Sequence, residues 1–188
     1  DAKKNVAKIV WSANYYQKIV NEDDLLYSDG FDTYDSKPVD HEGNYVYFDV
    51  ADSGKDKVCG VFADIDDFTG YVTDIYYSGE ESKITEPEVA AMIVKNKTIQ
   101  AWVESNNGGK RWGRAVEEEL EKLKYFNCNF DYFYQSDNKR ARFLTNTTLV
   151  CNTIKYPIGW ELLFPDYHTD LTQFPRSACR DDATLKNA

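Results

Sequence analysis

The sequence holds no apolar run approaching the ~20 residues of a membrane span, and none that resembles a signal-peptide core. That lack points to a soluble, intracellular chain. The four cysteines, Cys59, Cys128, Cys151 and Cys179, are widely spaced and form no C-x-x-C pair, which excludes zinc-ribbon and thioredoxin-like sites and leaves buried free thiols. The two histidines, His41 and His168, lack the spacing of a zinc pair. Without a secretory signal, the sequons Asn96-Lys97-Thr98 and Asn146-Thr147-Thr148 carry little weight. Positive charge is scarce, 22 Lys and Arg against 32 Asp and Glu, for a formal net charge of −10. Such a balance argues against a broad basic surface for nucleic acid, unless the acids gather around divalent cations, which invert the local field.

Two nucleotide and metal motifs are also missing. Asn106-Asn107-Gly108-Gly109-Lys110 lacks the first Gly of a phosphate loop and continues with Arg111 in place of Ser or Thr, so the chain has no Walker site. Asp52, Gly54 and Asp56 fail the EF-hand template, which needs oxygen ligands at alternate positions and a late Glu. Gly54 more simply lets the chain turn back.

What is present fits one ordinary domain with a substantial core plus flanking structure: 188 residues, 42% hydrophobic and 29% charged. The organising stretch is YVYFDVADSGKDK, Tyr45 to Lys57. In an extended segment Tyr45, Tyr47 and Asp49 share one face and Val46, Phe48 and Val50 the other. Asp49 is then a carboxylate within a strand, a position that calls for a cation.

Around it, residues 2–20 have apolar residues at helical spacing, and residues 21–42 shift to Asp, Ser, Gly and Pro, as in a linker or lead-in. We therefore expect residues 1–40 to be an N-terminal helix and linker, and 41–188 to be the main domain. After the Asp49 strand, residues 58–64 and 70–77 are β-rich runs completing an antiparallel meander. Thr85 with Glu88 and Pro87 suggests a capping box opening a helix that runs to about Asn96. A strand over 99–104, a turn, a helix over 110–123, a strand over 129–135 and a helix starting in 138–144 follow. Residues 155–175 read as loop, and Asp181 as the cap of a last helix. The order predicts an α/β fold with a mixed sheet, three antiparallel strands followed by parallel ones, flanked by helices.

Three acidic positions stand out: Asp49, Glu104 at the end of the fourth strand, and the pair Asp181-Asp182. If the fourth strand crosses back to lie parallel to the first, Glu104 comes level with Asp49, beyond strand ends where ligands gather. Hard oxygen donors of this kind suit Mg²⁺ or Mn²⁺, and two such ions would serve phosphodiester hydrolysis. The plain alternative is that Glu104 caps a turn and Asp181-Asp182 cap a helix. Asn106, the Gly109 amide and Lys110 could meet a backbone phosphate at a helix start, or be only a turn and cap. Lys110, Arg111 and Arg114 with Lys139, Arg140 and Arg142 supply most of the basic density. They are solvated helix faces by default, and guides for a polyanion if they flank the acids.

With these residues laid out, the chain resembles the C-terminal nuclease domain of bacteriophage large terminase subunits. YFDVADSGKD looks like the family's first acidic motif, WVESNNGG its second, QSDNKRAR its Asn-Lys-x-x-Arg segment, and FPRSACRDDA its third acidic motif. SANYYQKIV and the acidic stretch after it look like the lead-in from an upstream ATPase domain. The resemblance implies a ribonuclease H-like fold and an endonuclease using two Mg²⁺ or Mn²⁺ ions to cut concatemeric double-stranded DNA during packaging. It implies Asp49, Glu104 and one of Asp181 or Asp182 as metal ligands, with Asp52 or Asp56 assisting. The ATPase domain, the small terminase subunit and the portal protein would be partners, in the cytoplasm of the bacterial host. Two departures are Arg180, where the family commonly has His, and Leu185, where it often has Asp. The reading from another class is a non-catalytic docking module of the packaging motor, motivated by the aromatics Tyr132, Phe133, Tyr134 and Trp160, expected to be exposed.

Overall fold

The computed structural model describes residues 27, 30–38, 40–50, 57–136 and 139–174, apart from the side chains of 107 and 139–144. In chain order the elements are β1 (Asp32–Tyr34), β2 (Gly43–Asp49), β3 (Val58–Asp66), β4 (Thr69–Ser78), α1 (Ser82–Asn96), β5 (Thr98–Glu104), a 3₁₀ turn (Asn106–Gly108), α2 (Gly109–Lys122), β6 (Asn129–Phe133), α3 (Lys139–Thr153), β7 (Ile154–Pro157), α4 (Trp160–Leu163) and α5 (Pro165–Thr172). They form two compact units, Pro38–Ser136 and Asp1–Lys37 with Asp137–Ala188. The expected helix over 2–20 and the one opening at Asp181 lie outside the described residues.

In the Pro38–Ser136 unit the strands run β4-β3-β2-β5-β6. β2, β3 and β4 are the antiparallel meander, while β5 joins β2, and β6 joins β5, in parallel. This is the mixed sheet expected from the order of the elements. β2 alternates as its sequence does: Val46 and Phe48 are buried, and Tyr45, Tyr47 and Asp49 are half-buried on the other face. The buried face meets α1 and α2 in one core of Val46, Phe48, Phe62, Val89, Ile93, Val103, Trp112 and Val116. Phe48 is held edge-on by Phe62 and Trp112, at ring centroids of 5.8 and 5.2 Å. Its ring lies over Gly60, where any Cβ would overlap it. Burying such a ring contributes about 2–3 kcal/mol, so the residue just before Asp49 is an anchor.

At the opposite end of β2 a polar network replaces apolar packing. Buried Asn44 donates from Nδ2 to Asp64 Oδ1 (2.9 Å) and Thr73 Oγ1 (3.0 Å), and its Oδ1 accepts from Thr98 Oγ1 (2.7 Å). One side chain thereby ties β2 to β3, β4 and β5. Thr73 Oγ1 passes the connection to Asn96 at the end of α1 (3.1 Å).

The capping-box expectation fails. α1 begins at Ser82, its cap residue Glu81 makes no side-chain cap bond, and Pro87 lies inside the helix. Thr85 is fully buried, and its hydroxyl accepts the Trp112 indole N–H (3.0 Å), a tertiary bond to α2 in place of a cap.

In the other unit β1 and β7 pair in parallel, Asp32 opposite Lys155. Two stretches expected as linker and loop are thus partly regular. Tyr27 and Phe31 stack at 5.2 Å, Tyr156 stacks on Trp160 at 4.0 Å, and Tyr156 and Tyr167 share a hydroxyl hydrogen bond of 3.0 Å. Tyr27, Tyr156, Trp160, Tyr167, Leu171 and Phe174 are buried. The punctuation that suggested loop has local tasks: Pro157 ends β7, Gly159 takes a left-handed conformation (φ 77°) before α4, and Pro165 opens α5. The helix expected to start in 138–144 runs on to Thr153. No helix among the described residues is long and apolar enough to cross a membrane.

Candidate active site

Asp49 and Glu104 are the last residues of β2 and β5. These strands are parallel, with Tyr47 opposite Trp102 and Phe48 opposite Val103, so one further step sets Asp49 and Glu104 level. Both lie on the face away from α1 and α2, in a row across the sheet with Tyr77, Cys59 and Phe133. Glu104 is 4% exposed, and Asp49 Oδ2 and Glu104 Oε2 are buried oxygens. The two strands lie about 5 Å apart, so two ionised carboxylates at their ends would repel, and a divalent cation would reverse the sign of that interaction.

The surrounding chain keeps the pair in place. Asp49 sits between buried Phe48 and Val50. After Glu104, Ser105 donates from both N–H (2.8 Å) and Oγ (2.9 Å) to the Phe133 carbonyl. Asn106 donates to the Gln135 carbonyl (2.7 Å) and accepts from its N–H (3.0 Å), imitating a strand rung beyond the end of β6. Gly109 then brings the start of α2 against the Glu104 carbonyl, where a Cβ would overlap the oxygen.

Other candidates are placed less centrally. The amide of Asn106 is engaged by Gln135 through one donor and one acceptor bond, a structural task. Lys110, Arg111 and Arg114 are exposed on the early turns of α2. Lys139, Arg140 and Arg142 lie at the start of α3, in the other unit. Asp52, Asp56, Asp181 and Asp182 fall outside the described residues, and among those described no group of three His, Cys, Asp or Glu is placed to share one ion. Asp49 and Glu104 are hard oxygen donors of the type that holds Mg²⁺ or Mn²⁺.

The aromatics behind the docking alternative are mostly not exposed. Trp160 is 5% exposed, Tyr132 bonds Glu117 through its hydroxyl (2.8 Å), and Phe133 packs on Tyr47 at 5.4 Å; only Tyr134 of the four is open to solvent. Burial and the Glu117 carboxylate push the Tyr132 hydroxyl pKa well up. Cys59, fully buried and directly opposite Asp49, has no sequence signal, because only the β2–β3 register brings it there.

A meander continued by parallel strands, with helices packed on the sheet, is the ribonuclease H-like arrangement. No family model matches the sequence, and no curated protein matches it. Solved structures do. The large terminase of a thermophilic bacteriophage, in complex with ADP, superposes with a TM-score of 0.62 at 11% identity, over 99% of this chain and 49% of that one. The nuclease domain of the human cytomegalovirus terminase, soaked with Mn, gives 0.52 at 12% identity, covering 78% of this chain and 80% of that one. The nuclease domain of the large terminase subunit of bacterial virus Sf6, with manganese and beta-thujaplicinol, gives 0.52 at 13%, covering 76% of each. The chain has the fold of terminase nuclease domains, and it spans about half the length of the phage large terminase it matches.

Proposed function

We propose that the chain is the metal-dependent endonuclease part of a phage DNA-packaging terminase, cutting concatemeric double-stranded DNA by hydrolysis. The observation that carries this reading is the level pairing of Asp49 and Glu104 on one face at the ends of β2 and β5. Support also comes from the manganese in the two nuclease-domain neighbours. Asp49 and Glu104 would hold the metal, and Asp181 or Asp182 would supply the third carboxylate, with Asp52 or Asp56 assisting. Two bound Mg²⁺ or Mn²⁺ ions would make a water nucleophilic near neutral pH and offset charge on the leaving oxygen. The buried settings of Phe48 and Val50 and the close approach at Gly109 hold the backbone at the two acids, which would limit reorganisation during reaction.

Lys110 and Arg111, with Lys139, Arg140 and Arg142, would contact phosphates without reading bases, and the acidic balance implies weak DNA affinity for the chain alone. The upstream ATPase domain, small terminase subunit and portal protein would supply the grip, in the cytoplasm of the bacterial host. The test is Mn²⁺-dependent plasmid nicking. Asp49→Asn should abolish nicking with an unchanged circular dichroism spectrum and cooperative unfolding; nicking at the wild-type rate would overturn the assignment.

A further inference from the structure

Four aromatic rings on the acid-bearing face fall into two pairs. On β2 and β5 Tyr45 is opposite Gln100, and Tyr47 is opposite Trp102. Trp102 nevertheless stacks on Tyr45, at 5.6 Å between centroids and 8° between planes, so its ring partner lies on the side away from Glu104. Tyr47 pairs with Phe133, at 5.4 Å and 51°. These two residues stand on β2 and β6, which flank β5 and lie about 10 Å from each other at ordinary strand spacing. Their side chains therefore close that gap over β5. The register fixes where they meet: Tyr47 is opposite Trp102 and Phe133 is opposite Glu104, so the rings span the space between the Trp102 and Glu104 side chains.

The backbone behind the pair is tied to the acid. The Phe133 carbonyl accepts both the N–H (2.8 Å) and Oγ (2.9 Å) of Ser105, the residue after Glu104. Glu104 is 4% exposed although it ends its strand. We propose that Tyr47 and Phe133 are positioning residues for Glu104: their rings block the rotamers that swing back along β5, and so keep the carboxylate at the strand end, level with Asp49, where the two acids would share a cation. The proposal rests on the nuclease reading above and extends it to the groups that orient its ligands. A glutamate has more rotamer freedom to lose than an aspartate, so Glu104 gains more from such a wall than Asp49 does. An apolar wall also limits the access of water, which affects how strongly a site holds its metal.

The experiment uses the full 188-residue chain. Mn²⁺ binding is measured by titration calorimetry for the wild type, Phe133→Leu, Tyr47→Leu, the double variant and Tyr47→Phe, with Asp49→Asn as control, at a temperature where circular dichroism shows each protein folded. Nicking is followed separately against Mn²⁺ concentration. Loss of either ring should weaken Mn²⁺ binding by about tenfold, the low end of what losing a ligand-orienting neighbour costs. The double variant should bind about as weakly as either single one, because one ring without the other leaves the gap open. Tyr47→Phe keeps the ring and should bind Mn²⁺ as the wild type does. In nicking, the ring variants should need more Mn²⁺ for half-maximal rate, with the rate at saturating Mn²⁺ little changed.

Wild-type Mn²⁺ affinity in Phe133→Leu and Tyr47→Leu overturns the proposal and leaves the nuclease reading standing. So do losses that add in the double variant, or that Tyr47→Phe shares, since those would belong to each side chain alone. If the wild type binds Mn²⁺ through Asp49 but does not nick DNA, the nuclease reading fails while the comparison of affinities still decides the role of the rings. Binding that Asp49→Asn leaves unchanged, or no binding at all, overturns both.

Discussion

Replacing Asn44 with alanine should separate the stability of the sheet from its chemistry. The side chain makes three hydrogen bonds, to Asp64 (2.9 Å), Thr73 (3.0 Å) and Thr98 (2.7 Å), so four strands meet at one amide. Neutral hydrogen bonds contribute about 1 kcal/mol each and one to a carboxylate about 1.5–3 kcal/mol. Thr73 keeps its bond to Asn96, but the fully buried Thr98 hydroxyl loses its acceptor and Asp64 loses one of its donors. The combined cost is about 4 kcal/mol, which for a chain of this length lowers Tm by roughly 10 °C. Urea unfolding should show a lower midpoint with an unchanged m-value. Asn44 lies at the other end of β2 from Asp49, about 17 Å away, so nicking assayed well below the lowered Tm should persist. A destabilisation below about 1 kcal/mol would refute the assignment of the network as the tie between strands. Lost nicking in a protein that is still folded would refute the separation of the two ends.

Gly109→Ala puts a Cβ into the Glu104 carbonyl; it should cost about 1–3 kcal/mol in urea unfolding and reduce nicking by moving Glu104, and wild-type stability with wild-type nicking would contradict the close approach. Burial raises the pKa of Glu86, with Arg111 partly offsetting it. A raised carboxyl destabilises the fold when ionised, so its cost is present at neutral pH and disappears as pH falls through the folded and then the ordinary value. Glu86→Gln should therefore be more stable than wild type at pH 7, with the gain gone near pH 4; lower stability at pH 7 would show that attraction to Arg111 dominates.

The meander, β5, α2 and β6 are legible because their residues alternate, or recur at helical spacing, between a buried face and an open one, as in Tyr45 to Val50. Parallel docking of β5 on β2 is also legible, since strands joined across a helix pack that way. The start of α1 is not, because Thr85 carries the sequence mark of a cap while its hydroxyl serves Trp112 on another helix. The stretch from Lys155 is hidden by its Pro and Gly, which mark element ends as well as loops. At the site, the sequence singles out Asp49 as a carboxylate within a strand and Glu104 as one at a strand end, and the structure ends β2 at Asp49. The bond of Asn106 to Gln135 is not legible, because it depends on a partner far along the chain, which composition and periodicity do not encode.

The pairing of β2 with β5 has a consequence for how the chain folds. Its rungs join the residues most widely separated in sequence among the strand pairs of the Pro38–Ser136 unit, whereas the meander closes through short turns. Long-range pairing requires more loop closure and forms late. A chain with the meander formed and β5 undocked would hold Asp49 without Glu104. The two acids come level only through the β2–β5 pairing, so a chain without it would lack the pair proposed to bind metal.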